Sequence, residues 1–245
     1  MPLGYYIAGS AGQIAQRKLN DISHNLANVN TVGFMANRSS FSTQLSSHQA
    51  GASTQGAGAF PKYGNQFLDM QEGVIKKTGN DLDFAIQGLG FFRVGLADGS
   101  EAYTRAGNFK LDASGALLTQ GGYPVLNANG RPIRLQPGHI TATQDGALAV
   151  DGAKVDSFGL VQILDPSKVD KSSESLLKTP VANTQATTPD ILVHQGSLEG
   201  SNVNAIQAMT ELIDTMRSYQ STMKIVEEFN QQASLLNDRV GRIQG

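Results

Sequence analysis

The sequence predicts an α+β protein: a discontinuous, coiled-coil-like domain built from N- and C-terminal helices, with a central antiparallel all-β domain between them. Three observations carry this reading. The first 29 residues and the last 45 both repeat apolar or small side chains at gaps of three and four, the spacing of one helix face. The middle is cut into short apolar runs by glycine-containing pairs, the punctuation of hairpins.

Residues 1–36 form the N-terminal half of the helical stem. Leu3, Ile7, Ala11, Ala15, Leu19, Ile22, Leu26 and Val29 follow one another at gaps of mostly four and three. Gly4, Gly9 and Gly12 weaken the first turns by about 1 kcal/mol each relative to Ala, so this helix needs a partner. The pattern ends at Asn30, Thr31 and Gly33, all helix-ending types. Residues 37–72 then read as a Gly/Ser-rich connector, flexible in isolation.

From residue 73 to 165 the grammar is that of strands: Leu82–Ile86, Phe91–Leu96, Ala102–Arg105, Leu148–Val150 and Leu160–Leu164 among others. The pairs Asp98-Gly99, Ser114-Gly115, Gly121-Gly122, Asn129-Gly130, Asp145-Gly146 and Asp151-Gly152 separate them and supply the positive φ angles of tight turns. Short strands at these intervals predict an antiparallel sandwich or barrel-like domain. Residues 166–200 lose periodicity, carry Pro166, Pro180 and Pro189, and read as a second connector.

The final element spans 201–245. Met209, Leu212, Met216, Tyr219, Met223, Val226, Phe229, Ala233, Leu236, Val240 and Ile243 run at gaps of three and four, with a doubled three at Val226. That predicts a coiled-coil seam with one local slip, and Ser201 or Asn202 as its cap. Such a helix cannot cover its stripe alone, so it pairs with the N-terminal helix or with another copy. The stripe of Met209, Met216 and Met223 reads as adaptable core filling, or as a contact surface that fits non-identical neighbours.

Composition removes several classes of function. A net charge of -2 and a pI near 6.1 leave no electrostatic footprint for nucleic acid. No apolar run approaches a membrane span, so no direct membrane insertion is expected, nor is a cleavable leader, since the first basic residue is Arg17. Cysteine is absent, which excludes disulfides, Cys metal sites and thiol nucleophiles. His24, His48, His139 and His194 are scattered without ligand partners at metal spacing, and Asp81 with Asp83 lacks the rest of a calcium loop. No nucleophile or phosphate-loop motif is present. We expect no enzyme activity, no catalytic residue, no metal and no cofactor.

The segment Asp21 to Phe34, DISHNLANVNTVGF, resembles the N-terminal signature of bacterial flagellar rod and hook proteins, with Asn25, Leu26, Ala27, Asn28, Thr31, Gly33 and Phe34 in that family's order. Gly79–Phe92, Ala102–Phe109 and Gly122–Leu126 are similar to its β domain, and Ser197–Asn204 followed by Met209, Ile213, Arg217, Tyr219 and Lys224 to its C-terminal motif. His24 stands where the family usually has Asn or Ser, and Met35 where a basic residue commonly follows the aromatic. Within the family, the length and the short interval before the last helix look most like the proximal rod members, with the distal rod members next.

The resemblance implies a structural subunit of the flagellar basal-body rod. Copies are exported by the type III apparatus and polymerise with themselves and with neighbouring rod proteins into a helical tube that spans the periplasm and transmits torque. The assembly residues so implied are Ile7, Leu19, Ile22, Asn25, Leu26, Ala27, Asn28, Val29, Thr31, Gly33 and Phe34 at one end. At the other they are Ser201, Asn202, Val203, Asn204, Met209, Leu212, Met216, Tyr219, Met223, Val226, Phe229, Leu236, Val240 and Ile243. The alternative reading is a monomeric scaffold whose ends close on each other and display the β domain. Leu212→Asp or Leu236→Asp is expected to abolish assembly by forcing a charge into a desolvated seam, and motility of such variants would show that this face is wrongly assigned.

Overall fold

The computed structural model describes residues 3–46, 58–171, 175–186 and 191–241. Helix α1 (Leu3–Ala27) opens the chain and α2 (Ala205–Gly241) closes it. Between them come β1 (Asn37–Ser46), β2 (Gly58–Leu68), β3 (Ile75–Lys77), β4 (Phe84–Gln87), β5 (Gly90–Gly95), β6 (Glu101–Thr104), β7 (Lys110–Leu111), β8 (Leu117–Leu118) and β9 (Ile140–Ala142). They are followed by β10 (Ala147–Val150), β11 (Ala153–Ser157), β12 (Leu160–Ile163), β13 (Asp170–Lys171), β14 (Leu177–Lys178), β15 (Thr184–Ala186), β16 (Leu192–Gln195) and β17 (Ser197–Glu199). The predicted α+β class, with end helices and a central antiparallel β domain, is borne out. The chain forms two compact units, one of residues 1–26, 38–66 and 205–245, the other of 27–37 and 67–204.

In the second unit a six-stranded antiparallel sheet runs in the order β13-β14-β6-β5-β12-β15. Alternation along its strands gives each face its own core. Phe92 and Val94 of β5, Ala102 of β6 and Leu160 of β12 join the larger cluster with Phe84, Ile86, Leu117, Ile133 and Leu148. Phe91, Tyr103, Val161 and Ile163, one residue out of step, join Met35 and Leu68 on the other side. Phe84, Phe92, Phe109 and Phe158 stack within the larger core, with Phe84–Phe158 and Phe92–Phe158 centroids 4.9 and 5.1 Å apart in edge-on geometry.

The turns follow the sequence closely. The second glycine of all six predicted pairs has φ between 75° and 83°. At Asp151-Gly152 both residues are left-handed, with φ 52° and 82°, as a two-residue hairpin between β10 and β11 requires.

Two segments differ from their expected character. In the span 37–72, read as a flexible connector, β1 and β2 pair with each other. Composition hid this, because Gly, Ser and Gln tolerate a strand without announcing one. In the span 166–200, β13, β14 and β15 supply both edges of the main sheet, while β16 pairs with β4 and β17 with β3. Each contributes at most one buried residue, such as Leu177 and Val193, so no period can develop. The central β unit therefore continues to residue 204.

Phe92 has no exposed surface and meets two other rings, so Phe92→Ala is expected to cost the second unit about 3–5 kcal/mol in urea unfolding monitored by tyrosine fluorescence.

Candidate assembly surface

In the first unit α1 and α2 lie antiparallel. Lys18 Nζ meets Glu211 Oε1 at 2.8 Å, Gly12 lies opposite Thr222 and Met223, and Gly4 lies against Phe229. The glycines that weaken α1 as an isolated helix are what let the two backbones approach. A Cβ on Gly4 would fall 3.1 Å from Phe229 Cζ, so the ring would have to give way. From the other side of α1, Asp21 accepts hydrogen bonds from Ser39 Oγ and from Gln66 Nε2, the latter at 3.0 Å, and so holds both strands of the β1–β2 hairpin. A two-stranded hairpin is marginal alone, and this carboxylate gives it an anchor.

The seam of α2 differs from the one counted in the sequence. Its inward side is Ala208, Leu212, Thr215, Tyr219, Thr222, Val226 and Phe229, an unbroken alternation of four and three without the expected slip at Val226. Thr215 is buried, while Met209, Met216 and Met223 are 50%, 49% and 43% exposed. Each methionine sits one position beyond a smaller Ala or Thr. Helices that approach over Gly4, Ala8 and Gly12 admit those short side chains and leave Met209 and Met216 outward, while Met223 keeps its sulfur beside Gly12 at the edge of the contact. With Ile206 at 79% and Ile213 at 50% exposure they form an apolar face along the first half of α2.

On α1, Ile22 is buried and Ile7, Leu19, Asn25 and Leu26 are half-buried, but Ala27 is exposed. Leu236 and Val240 have side chains outside those described, and Ile243 lies outside the described residues.

The second unit holds the remaining motif residues, around a buried ion pair. Arg105 Nη1 donates to Glu199 Oε1 and Oε2 at 3.0 and 3.2 Å, Nη2 donates to Gly88 O at 2.6 Å, and the guanidinium lies 5.0 Å from the centre of the Phe91 ring. Glu199 also accepts from Gly73 N at 2.8 Å, and its own carbonyl accepts from Gly33 N at 2.9 Å. Burial pushes the Glu199 carboxyl up from its ordinary pKa, against the pull of Arg105 and the Gly73 amide. Arg105 and Glu199 are 1% and 3% exposed, so neither charge has recourse to water.

The loop leaving α1 is built onto this pair. Asn28 is buried and its Oδ1 accepts from Thr31 Oγ1 at 3.0 Å, while its carbonyl accepts from Thr31 N. Val29 is half-buried beside it. Gly33 has φ 65°, and a Cβ there would lie 2.3 Å from Ala106 N, so only glycine fits. Phe34 is 1% exposed, with Lys171 Nζ 3.7 Å from its ring centre, and the same ammonium donates to Met35 O at 3.1 Å. Met35 is core, packed with Leu68 and Phe91, and the cation at this place comes from Lys171 of β13.

Asn202 was read as a helix cap, but α2 begins at Ala205. Its Oδ1 accepts from Ala36 N at 2.8 Å and its Nδ2 donates to Asp69 O and Gln71 O at 2.9 and 3.1 Å. It therefore ties three segments of the second unit. Ser201 Oγ accepts from Val203 N at 3.2 Å, and Asn204 is exposed. Arg105, Glu199 and Lys171 escaped the sequence reading. The first two sit inside motifs quoted for their likeness, yet an arginine and a glutamate 94 residues apart give no sign of being partners.

The chain matches three family models: "Flagella basal body rod protein" over residues 6–34, "Flagellar hook protein FlgE/F/G D1 domain" over 85–163, and "Flagellar basal body rod FlgEFG protein C-terminal" over 194–238. It is 32% identical to the flagellar basal-body rod protein FlgF of Caulobacter vibrioides over 240 residues, covering 97% of this chain and 98% of that protein. It is 35% identical to FlgF of Rhizobium meliloti, with 93% of each covered, and 34% identical to the rod protein FlgG of Bacillus subtilis, with 86% and 89% covered.

Glu199→Gln leaves the Arg105 cation buried and uncompensated, so a loss of about 3–5 kcal/mol is expected in urea unfolding. Arg105→Met with Glu199→Leu is expected to cost clearly less than the sum of the two single replacements; strict additivity would show that the pair is not coupled.

Proposed function

The chain belongs to the flagellar basal-body rod protein family, and on that premise we propose that it is the FlgF-type subunit, building the proximal part of the rod. As a family member it is a structural, non-enzymatic subunit of the basal body that assembles with itself and with other rod proteins. The FlgF-type assignment is supported by identities of 32% and 35% to the Caulobacter and Rhizobium FlgF proteins over 97% and 93% of this chain. The proximal position is supported by the short interval between the β unit and α2. Delivery through the flagellar export apparatus and torque transmission belong to the same reading.

The observation that carries the mechanism is the uncovered face of α2. A helix that spends Leu212, Tyr219, Val226 and Phe229 on its own unit, and still presents Ile206, Met209, Ile213 and Met216 to solvent, has a second apolar side for another subunit. Repetition of one such head-to-tail contact generates an open helical array. The closed monomeric scaffold is disfavoured by the same face, because pairing of the ends leaves it bare.

Ile206→Asp and Ile213→Asp place a charge where the single chain is exposed, so chemical stability is expected to change by no more than about 0.5 kcal/mol. Neither variant is expected to enter isolated basal bodies or restore swimming to a strain lacking its own copy. Normal swimming by both would remove this face from the assembly.

A further inference from the structure

The same face carries a chemical vulnerability. Met209, Met216 and Met223 recur every seven residues along α2, each with about half its surface exposed, whereas Met35 is 4% exposed inside the second core. Their apolar companions Ile206 and Ile213 have no redox chemistry, and the chain contains no cysteine or tryptophan to intercept an oxidant first. The inward shift of Ala208, Thr215 and Thr222 leaves Met209, Met216 and Met223 half-exposed, the Met223 sulfur lying nearest α1 beside Gly12, so their accessibility follows from the helix pairing.

We propose that Met209, Met216 and Met223 form a reversible oxidation site at which a peroxide blocks subunit assembly, an inference that rests on the reading of the α2 face as an interface. A sulfur lone pair attacks one peroxide oxygen; the O–O bond breaks, an S–O bond forms and the other oxygen leaves as water. The sulfur loses two electrons and the peroxide gains two. The sulfoxide is a strong acceptor, so burying it against an apolar surface of a neighbouring subunit leaves a polar group unsatisfied. A thiol-dependent sulfoxide reductase reverses the step: two thiols become a disulfide and the oxygen departs as water. The seven-residue spacing puts all three sulfurs on one stripe, so each oxidation falls on the same contact.

The test treats the full-length chain with hydrogen peroxide and maps sulfoxides by peptide mass spectrometry, free and in isolated basal bodies. In parallel, Met209→Gln/Met216→Gln/Met223→Gln, which imitates the polar sulfoxide, and the corresponding triple Leu variant replace the native copy in cells. The three methionines are expected to oxidise before Met35 in the free chain and to be protected in basal bodies. The Gln triple is expected to be absent from basal bodies. The Leu triple is expected to swim, and its flagella, sheared and regrown, to resist a peroxide dose that arrests wild-type regrowth. Oxidation no faster than that of Met35, normal incorporation of the Gln triple, or a Leu triple as peroxide-sensitive as wild type overturns the oxidation site while leaving the interface reading intact if the sulfurs are protected in basal bodies. Sulfurs that oxidise equally fast in free chain and basal bodies overturn the interface reading itself, and this proposal with it.

Discussion

Removing Arg105 and Glu199 from water is the constraint on which the second unit depends. Two buried charges are tolerated because each is held by several groups at once: the carboxylate by the guanidinium and the Gly73 amide, the guanidinium by the carboxylate, the Gly88 carbonyl and the Phe91 face. Holding them fixes the end of β6, the last residue of β17 and the approach to β3 in one register, with Arg105 Nε left buried without a hydrogen-bond partner. The loop after α1 then has a single seat, since Gly33 donates to the carbonyl of Glu199 and packs against Ala106. Asn202 repeats the device with neutral groups, using one amide to hold residues 36, 69 and 71. The motif residues of the family are thus largely architectural: they shape the places where chain segments leave the β unit.

The first unit is governed by size. Gly4, Ala8 and Gly12 make α1 narrow on one side, and α2 meets it with Ala208, Thr215 and Thr222 beside larger residues. Close approach of the backbones settles which apolar side chains face inward. It also determines what remains for other molecules, because Met209 and Met216, which do not fit, join the outer surface.

Much of this was readable in the chain. The paired turn residues marked the hairpins, since positive φ is a local demand that Gly meets cheaply, and the helices announced themselves by period. Boundaries failed where the signal is not local. Two-residue strands such as β13 and β14 owe their existence to the sheet edge they complete. The β1–β2 hairpin is held through Asp21, a side chain on another element. The predicted α2 seam counts Met209, Met216 and Met223 where Ala208, Thr215 and Thr222 turn inward, because hydropathy favours Met, whereas packing against a glycine-lined helix favours the shorter side chain. Asn202 looked like a cap because caps and loop clamps use the same chemistry, and only the start of α2 at Ala205 separates them.

The division of the chain has a kinetic side. The first unit needs residues from both extremes, as Lys18 with Glu211 and Gly4 with Phe229 illustrate, while the second is contained between them. A chain emerging from its N-terminus can complete the second unit and still leave α1 without its mate until the final helix arrives. That pairing closes a loop of nearly the whole polypeptide and so carries a larger entropic cost than the local hairpins of the second unit. The order of emergence therefore acts as a timer, keeping α1 unpaired until α2 has followed the β unit out.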